Sequence, residues 1–263
     1  MQRANANKLL ARALRPHLTA GVEIASIDGG GLRNAIPREA RATVLVPSDY
    51  AATFTAAIAS MKATFEKEFR DIEDGISLSL APADYPKDII PAAAARGLID
   101  FVCIVPDGVM KMSTSMPGLV QTSTNFARVI SDGRSVKMLA LVRSSLRSEK
   151  EFVCERMVAL CGLVGAECEL TGSYDGWNPD MSSPILGTMA AGYERLFGEK
   201  PEVTAVHAGL ECGIIGGVYP EMDMISCGPT IRFPHSPDEE VDIASVERFW
   251  RFLVDALETA PKK

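Results

Sequence analysis

The chain has 263 residues, with 27 Lys plus Arg against 34 Asp plus Glu, so its formal charge at neutral pH is −7. Apolar residues make up 47% and charged residues 23%, a balance that argues against a disordered chain, a collagen-like repeat or a disulfide-stapled miniprotein. The acidic total and the lack of a Lys/Arg stripe argue against nucleic acid as a partner, because neutralising phosphates needs clustered positive charge.

No window holds 18 uncharged apolar residues in a row, so no transmembrane helix is expected and a membrane is not a partner. The opening MQRANANKLLARALRPHL is basic and amphipathic, without the apolar block and cleavage site of a secretory signal. Six cysteines, sparse and set in apolar runs, read as reduced thiols of a cytoplasmic protein.

In chain order, residues 1–18 predict a helix with Leu9, Leu10 and Leu14 on one side, stopped at Arg15-Pro16. Val22 to Ile27 and Arg41 to Val44 predict two strands joined by a glycine loop at Gly29-Gly30-Gly31. Ser48 is placed to cap a long helix whose apolar face is Phe54, Ile58, Met61, Phe65 and Phe69. Gly75 ends that unit, and the alternation Ile76-Ser77-Leu78-Ser79-Leu80 predicts a strand with one wet face. A helix through Pro91 to Ile99 follows. Val120 to Ile130 and Ser135 to Arg143 flank Asp132-Gly133, a strong hairpin signal. Ser148 and Glu151 form a capping box for a helix with Val153, Met157, Leu160 and Val164 inward. Strands and helices mixed in this way predict an α+β domain with antiparallel pairing.

Periodicity lapses around Gly172 to Pro179, which places a domain boundary after residue 173. Beyond it come a helix over 184–197, a strand Val203 to Val206, a short helix after Gly209, a strand Met222 to Cys227 and a C-terminal helix. That last helix has Ile243, Val246, Trp250, Leu253 and Leu257 at spacings of 3, 4, 3 and 4, an expected buried face. Helix and strand taking turns suggests an α/β sheet, but the stretch is short for a doubly wound domain whose βαβ units each take about 30 residues. The α/β segment therefore reads as incomplete.

Four places could carry chemistry. His235, held between Pro234 and Pro237, lies where ligands approach open α/β sheets and suits a metal ligand, or is an exposed residue before a helix capped by Ser236 or Asp238. His207-Ala208-Gly209-Leu210-Glu211-Cys212-Gly213 either lets a ligand approach the Gly209 backbone or is a tight turn. Asn34 and Arg38 sit on a glycine-bent loop that is not a dinucleotide fingerprint, because a strand follows it; they are binding groups or solvated turn tips. Arg143, ending an apolar strand, could clamp a carboxylate bidentately or simply emerge into water. Cys154, Cys161 and Cys168 recur every seven residues, a spacing unsuited to one zinc, and read as core residues. No GxSxG, HExxH or P-loop pattern occurs.

Taken together, Asn5-Ala6-Asn7-Lys8-Leu9-Leu10, Leu32-Arg33-Asn34-Ala35-Ile36-Pro37-Arg38-Glu39, Gly176-Trp177, His207 to Gly213, Met222-Asp223-Met224 and Pro234 to Glu239 resemble, in order and spacing, the bacterial aminoacyl-histidine (Xaa-His) dipeptidases. The resemblance implies a carnosinase-like two-zinc metallopeptidase in which a lid domain, usually dimerising, interrupts an α/β catalytic domain. It implies that residues 1–173 are the α+β lid and 174–263 an incomplete α/β catalytic segment. By the same resemblance His235 is a zinc ligand, Asn34, Arg143 and Gly209 hold the dipeptide substrate, and Arg143 takes its terminal carboxylate. The implied chemistry is hydrolysis of Xaa-His dipeptides by zinc-activated water in a homodimer.

The family's other ligands, bridging aspartate, general-base glutamate and lid histidine have no counterpart among the three histidines of this chain, His17, His207 and His235. One histidine cannot hold two metals about 3.5–4 Å apart. The chain therefore reads as a C-terminal portion, inactive alone and contributing no catalytic residue. Two other readings stand beside this one: a non-catalytic dimerisation and binding module, and a related N-acyl amino acid deacylase.

Overall fold

The structure, a computed structural model, describes residues 3–73, 75–178, 180–205, 210–234 and 237–259. The chain divides into two compact units, one of residues 1–113 and 120–173, the other of residues 114–119 and 174–263.

The first unit is α+β. It opens with helix α1 (Ala6–Leu14), continued by a 3-10 turn over Arg15–Ala20 that begins with Pro at its second position and ends on Gly21. Strands β1 (Glu23–Gly30) and β2 (Ala40–Leu45), helices α2 (Ala51–Glu68) and α3 (Ala92–Ile104), strands β3 (Gly108–Met112), β4 (Val120–Ser131) and β5 (Val136–Ser144), and helix α4 (Arg147–Leu163) follow. All pairings are antiparallel: β2 with β1, β1 with β4, β3 with β4 and β4 with β5. β5 covers residues 122–131 of β4, overlapping both the 120–124 stretch used by β3 and the 128–130 stretch used by β1. A strand has two hydrogen-bonding edges, so β1 and β3 share one edge of β4 and β5 takes the other.

The core lies between the helices and one face of this sheet, with Ile24, Ile27, Phe65, Ile99, Val102, Phe126 and Val129 each at most 1% exposed. The expected face of α2 is present, with Phe54, Ile58 and Phe65 buried and Met61 packed beside them. Its start differs. Tyr50 donates its N–H to the Pro47 carbonyl (2.9 Å), closing a turn that carries Ser48 past the cap position, and the helix begins at Ala51 without a side-chain cap. The capping box at Ser148 and Glu151 is likewise absent: Leu146 is the N-cap, and its own N–H is taken by Ser144 Oγ (3.1 Å), so the entry is braced before the helix begins.

Residues 76–80 are not a strand. Ile76 and Leu78 pack against the core and the intervening serines face out, so the period of two is real. Alternation reports which side chains are buried, whereas a strand also needs a neighbouring backbone, and this segment pairs with none among the described residues. Strand β3, which the sequence reading lacked, pairs with β4 through two register shifts, an irregular ladder with no clean alternation.

The motif Asn5-Ala6-Asn7-Lys8 has a structural meaning. Asn5, 4% exposed, caps α1 by accepting from the Asn7 N–H (3.0 Å), while its Nδ2 donates to the Phe126 carbonyl (3.0 Å) and to Asp107 Oδ1 (3.2 Å). Asp107 Oδ1 accepts in turn from the Phe126 N–H (2.8 Å), and Lys8 donates Nζ to the Val105 carbonyl and to the Cys103 carbonyl at the end of α3. Burial pushes the Asp107 carboxyl above its ordinary range, opposed by the Phe126 N–H and Lys8, and lowers the Lys8 ammonium. Asn5→Ala is expected to remove about 2–4 kcal/mol of stability, a lost cap plus a buried bond whose partners stay unsatisfied. Urea unfolding measures it, and a change within about 0.5 kcal/mol, ordinary for a surface site, would deny Asn5 this bridging role.

The second unit contains helices α5 (Pro184–Phe197), α6 (Glu211–Val218) and α7 (Ile243–Thr259) and a two-residue ribbon of β6 (Ile231–Arg232) and β7 (Glu240–Val241). Ser183 caps α5, and Asp223 holds that cap by accepting from Ser183 Oγ (2.6 Å) and the Ile185 N–H (2.8 Å), which places the Met222-Asp223-Met224 motif. Gly213 meets the Asp175 carbonyl so closely that a Cβ there would lie 2.4 Å from it, the reason for glycine in α6 beside Gly176-Trp177. Tyr193 and Phe252 pack edge to face (5.4 Å), joining α5 to α7, with Arg195 bridged to Asp255 (2.6 Å).

Two expectations for this unit are corrected. Residues 203–205 and 222–227 are not in strands, and Val206 lies outside the described residues. Nor does α7 bury the expected stripe: Ile243 is 86%, Trp250 62% and Leu257 70% exposed, Val246 is exposed as well, and Phe252 is the buried apolar side chain. The spacing gives an amphipathic helix but not a partner for its apolar side; here α7 meets α5 through Phe252.

Candidate substrate-binding face

The sheet of the first unit has a second face. Along β4 the residues Thr122, Thr124 and Phe126 are buried, while Ser123 and Asn125 between them are half-buried. In the antiparallel register Ser123 faces Arg143 and Asn125 faces Leu141, without a shift between the two pairs. Facing residues and residues two apart share a face, so Ser123, Asn125, Leu141 and Arg143 line the side opposite Phe126. Arg143 is half-buried near the end of β5.

Asn34 belongs to an exposed turn after β1, closed by the Ala35 N–H on the Leu32 carbonyl (3.1 Å). Asn125 holds that turn from the sheet: its Nδ2 donates to the carbonyls of both Arg33 and Ala35 (2.8 Å each), the residues on either side of Asn34. The rest of the Leu32 to Glu39 motif is pinned at its far end, where the Pro37 carbonyl accepts the Ala6 N–H (3.0 Å) and the Glu39 carbonyl accepts the Gly30 N–H (2.9 Å). Arg128 closes the near end, bonding Asp28 Oδ1 (2.7 Å) and the Gly30 carbonyl.

The fold thus brings the Asn34 turn and Arg143 to one face, with Asn125 about 7 Å along β4 from the residue opposite Arg143. A guanidinium and a carboxamide-bearing turn on a single polar face can hold a small, two-ended polar ligand. Gly209 and His235, the other two residues expected at a site, lie outside the described residues, as does His207.

Asn125 is the residue that the sequence reading missed. Nothing local singles it out, since Gln121 and Arg128 are polar residues of the same strand, and its partners are about ninety residues upstream. Asn125→Ala is expected to cost about 1–3 kcal/mol, two net hydrogen bonds, and to speed amide exchange in residues 31–36. Unchanged exchange there would remove it as the anchor of the turn.

Residues 2–73 match the peptidase dimerisation domain. The chain is 38% identical over 260 residues to the cytosol non-specific dipeptidase of Escherichia coli (strain K12), an alignment spanning 98% of this chain and 54% of that protein. The crystal structure of aminoacylhistidine dipeptidase from Vibrio alginolyticus superposes with a TM-score of 0.92 at 37% identity, covering 99% of this chain and 54% of that one. The chain spans about half the length of the dipeptidases it matches. The chain is thus similar along nearly its whole length to these two dipeptidases, and its residues 2–73 match the peptidase dimerisation domain.

Proposed function

We propose that the chain is the dimerising lid and the C-terminal catalytic segment of a metal-dependent dipeptidase that hydrolyses Xaa-His dipeptides in the cytoplasm. The observation that supports this reading is the sheet face that carries both Arg143 and Asn125, whose amide holds the turn of Asn34, in a chain 38% identical to a dipeptidase. Arg143 takes the substrate's terminal carboxylate, Asn34 its backbone polar groups, and Gly209 offers a main-chain contact. Residues 1–173 are the lid and 174–263 the catalytic segment. The dimerisation-domain match supports a homodimer; β2, paired only with β1 among the described strands, offers an edge for a second copy. No helix among the described residues is long and apolar enough to cross a membrane.

A divalent metal pair, zinc in this proposal, supplies the activated water when bound. The described residues do not fit such a centre by themselves, since their His, Cys, Asp and Glu side chains form no group of three or more able to hold an ion. His235 is proposed as one ligand by its Pro234 to Glu239 motif. The other ligands and the general base come from polypeptide that the relatives have outside the aligned half, so this chain alone is inactive.

The test has two parts. The purified chain is expected to bind no stoichiometric zinc and to turn over no dipeptide; tight zinc with turnover would overturn the division of ligands. The protein completed with the remaining half is expected to hydrolyse Xaa-His dipeptides and to lose metal on His235→Ala. Preference for N-acyl amino acids would instead make it a deacylase, and no hydrolysis of either would leave a binding module.

A further inference from the structure

The face that carries Arg143 is not polar throughout. Met138, Ala140 and Val142 of β5 pack against the core, which turns Leu139, Leu141 and Arg143 to the other side of the sheet. Leu141 is half-buried there and Leu139 is exposed. In the register Leu141 faces Asn125, one row along from the Ser123–Arg143 pair. Asn125 has no polar atom to offer a ligand in that row. Both Nδ2 hydrogens go to the Arg33 and Ala35 carbonyls (2.8 Å each), and its Oδ1 is shielded from water without a hydrogen-bond partner. The row beside the guanidinium is therefore hydrocarbon on β5 and an already committed carboxamide on β4. One row further, Leu139 faces Arg128, whose guanidinium is tied to Asp28 (2.7 Å) and to the Gly30 carbonyl.

We propose that Leu141 is a specificity-determining residue that receives the side chain of a dipeptide's C-terminal residue and selects apolar and neutral ring side chains over charged ones. The assignment rests on the carboxylate role proposed for Arg143 and the backbone role proposed for Asn34. With the carboxylate at Arg143 and the peptide's polar groups at the turn that Asn125 holds, the C-terminal residue runs from the Arg143 row towards Asn125. Its side chain leaves the carbon that bears the carboxylate, and Leu141 lies about 7 Å along β5 from Arg143, so the side chain comes down on Leu141. An alkyl chain or a neutral imidazole gains from that contact, each methylene against an apolar surface being worth roughly tenfold. A carboxylate or ammonium would give up water there and find no partner in the row. A C-terminal histidine is then one member of a class that also takes leucine.

The test uses the completed protein at about pH 8, where a substrate imidazole is neutral, with Ala-Gly, Ala-Leu, Ala-His and Ala-Asp as substrates. The wild type is expected to favour Ala-Leu and Ala-His over Ala-Gly by about tenfold or more in kcat/KM, with Ala-Asp below Ala-Gly. Leu141→Ala should reduce the Ala-Leu to Ala-Gly ratio by about tenfold, whereas Leu141→Met, of similar volume, should keep it within about threefold. Leu141→Lys should raise Ala-Asp relative to Ala-Leu. Each ratio is taken within one preparation, so any loss of folded protein cancels. An unchanged ratio in Leu141→Ala, with all four substrates losing equally, or a wild type that prefers Ala-Asp, would overturn the role of Leu141. The carboxylate reading would survive that result if Arg143→Ala still distinguishes free from amidated dipeptides. No hydrolysis by the wild type, or an Arg143→Ala loss equal on free and amidated dipeptides, would remove that reading and this inference with it.

Discussion

Gly30→Ala is expected to destabilise the first unit by more than about 3 kcal/mol, a strained left-handed residue plus a steric conflict inside the sheet. Gly30 closes β1 with φ 77°, and a Cβ built on it would lie 1.9 Å from the Ala127 carbonyl. Its neighbour in the register is Arg128, and its N–H and carbonyl bind Glu39 and Arg128, so there is no direction in which it can retreat without opening the β1–β4 ladder. Gly133→Ala supplies the comparison. Its φ of 84° is equally left-handed, but nothing lies within 4 Å of the added carbon, so only the conformational term of about 1–2 kcal/mol applies. Urea unfolding of both variants separates strain from close approach. Similar losses for the two would show that the β1–β4 contact yields easily and that the glycine is there for its φ alone. Because the Asn34 turn begins at Leu32, two residues after Gly30, the same variant should also loosen the candidate site.

Arg143→Ala, in the completed protein, is expected to lower kcat/KM for dipeptides by roughly ten- to one-hundred-and-fifty-fold, the equivalent of about 1.5–3 kcal/mol for hydrogen bonds to a charged group. The loss should appear mainly as a raised KM, since the carboxylate is bound alike in the ground and transition states. Substrates whose C-terminus is amidated should lose little further, having no charge for the guanidinium to meet. Arg143→Lys should fall between, because an ammonium offers a point charge where the planar fork offers two parallel bonds. Equal losses on free and amidated dipeptides would remove Arg143 from the carboxylate and leave it a structural residue of β5.

Much of the first unit was legible in the sequence because its elements are local or amphipathic. The face of α2 came from the spacing of Phe54, Ile58 and Phe65, and the β4–β5 hairpin from Asp132-Gly133, where Asp132 accepts from the N–H groups of Arg134 and Ser135 (3.0 and 2.8 Å). Helix starts were less legible. Ser48 and Ser148 are good caps by residue type, but the Pro47–Tyr50 turn and the Ser144 hydroxyl fix those ends instead. The strands expected at 76–80, 203–206 and 222–227 are absent from their described residues for one reason, that apolar pattern specifies side-chain burial and not the neighbouring backbone a strand must bond.

The candidate site divides in the same way. Asn34 and Arg143 were nameable as residue types in motifs, whereas Asn125 was not, because its importance lies in two carbonyls far away in sequence.

What the sequence by itself determined is the set of local choices: the helices, the hairpin, the glycines that must be glycine, and the motifs that relate the chain to the dipeptidases. Periodicity, turn chemistry and residue type act within a few residues, so one dimension suffices to record them. The tertiary structure alone decided that β1 and β3 share an edge of β4, that the Asn34 turn is carried to the face bearing Arg143, that α7 leaves Trp250 in water, and that Cys161 is buried while Cys168, expected in the core from its spacing, is exposed. Those outcomes depend on register and on contacts between distant segments, and a hydrogen bond between residues ninety apart leaves no period in the chain to be read.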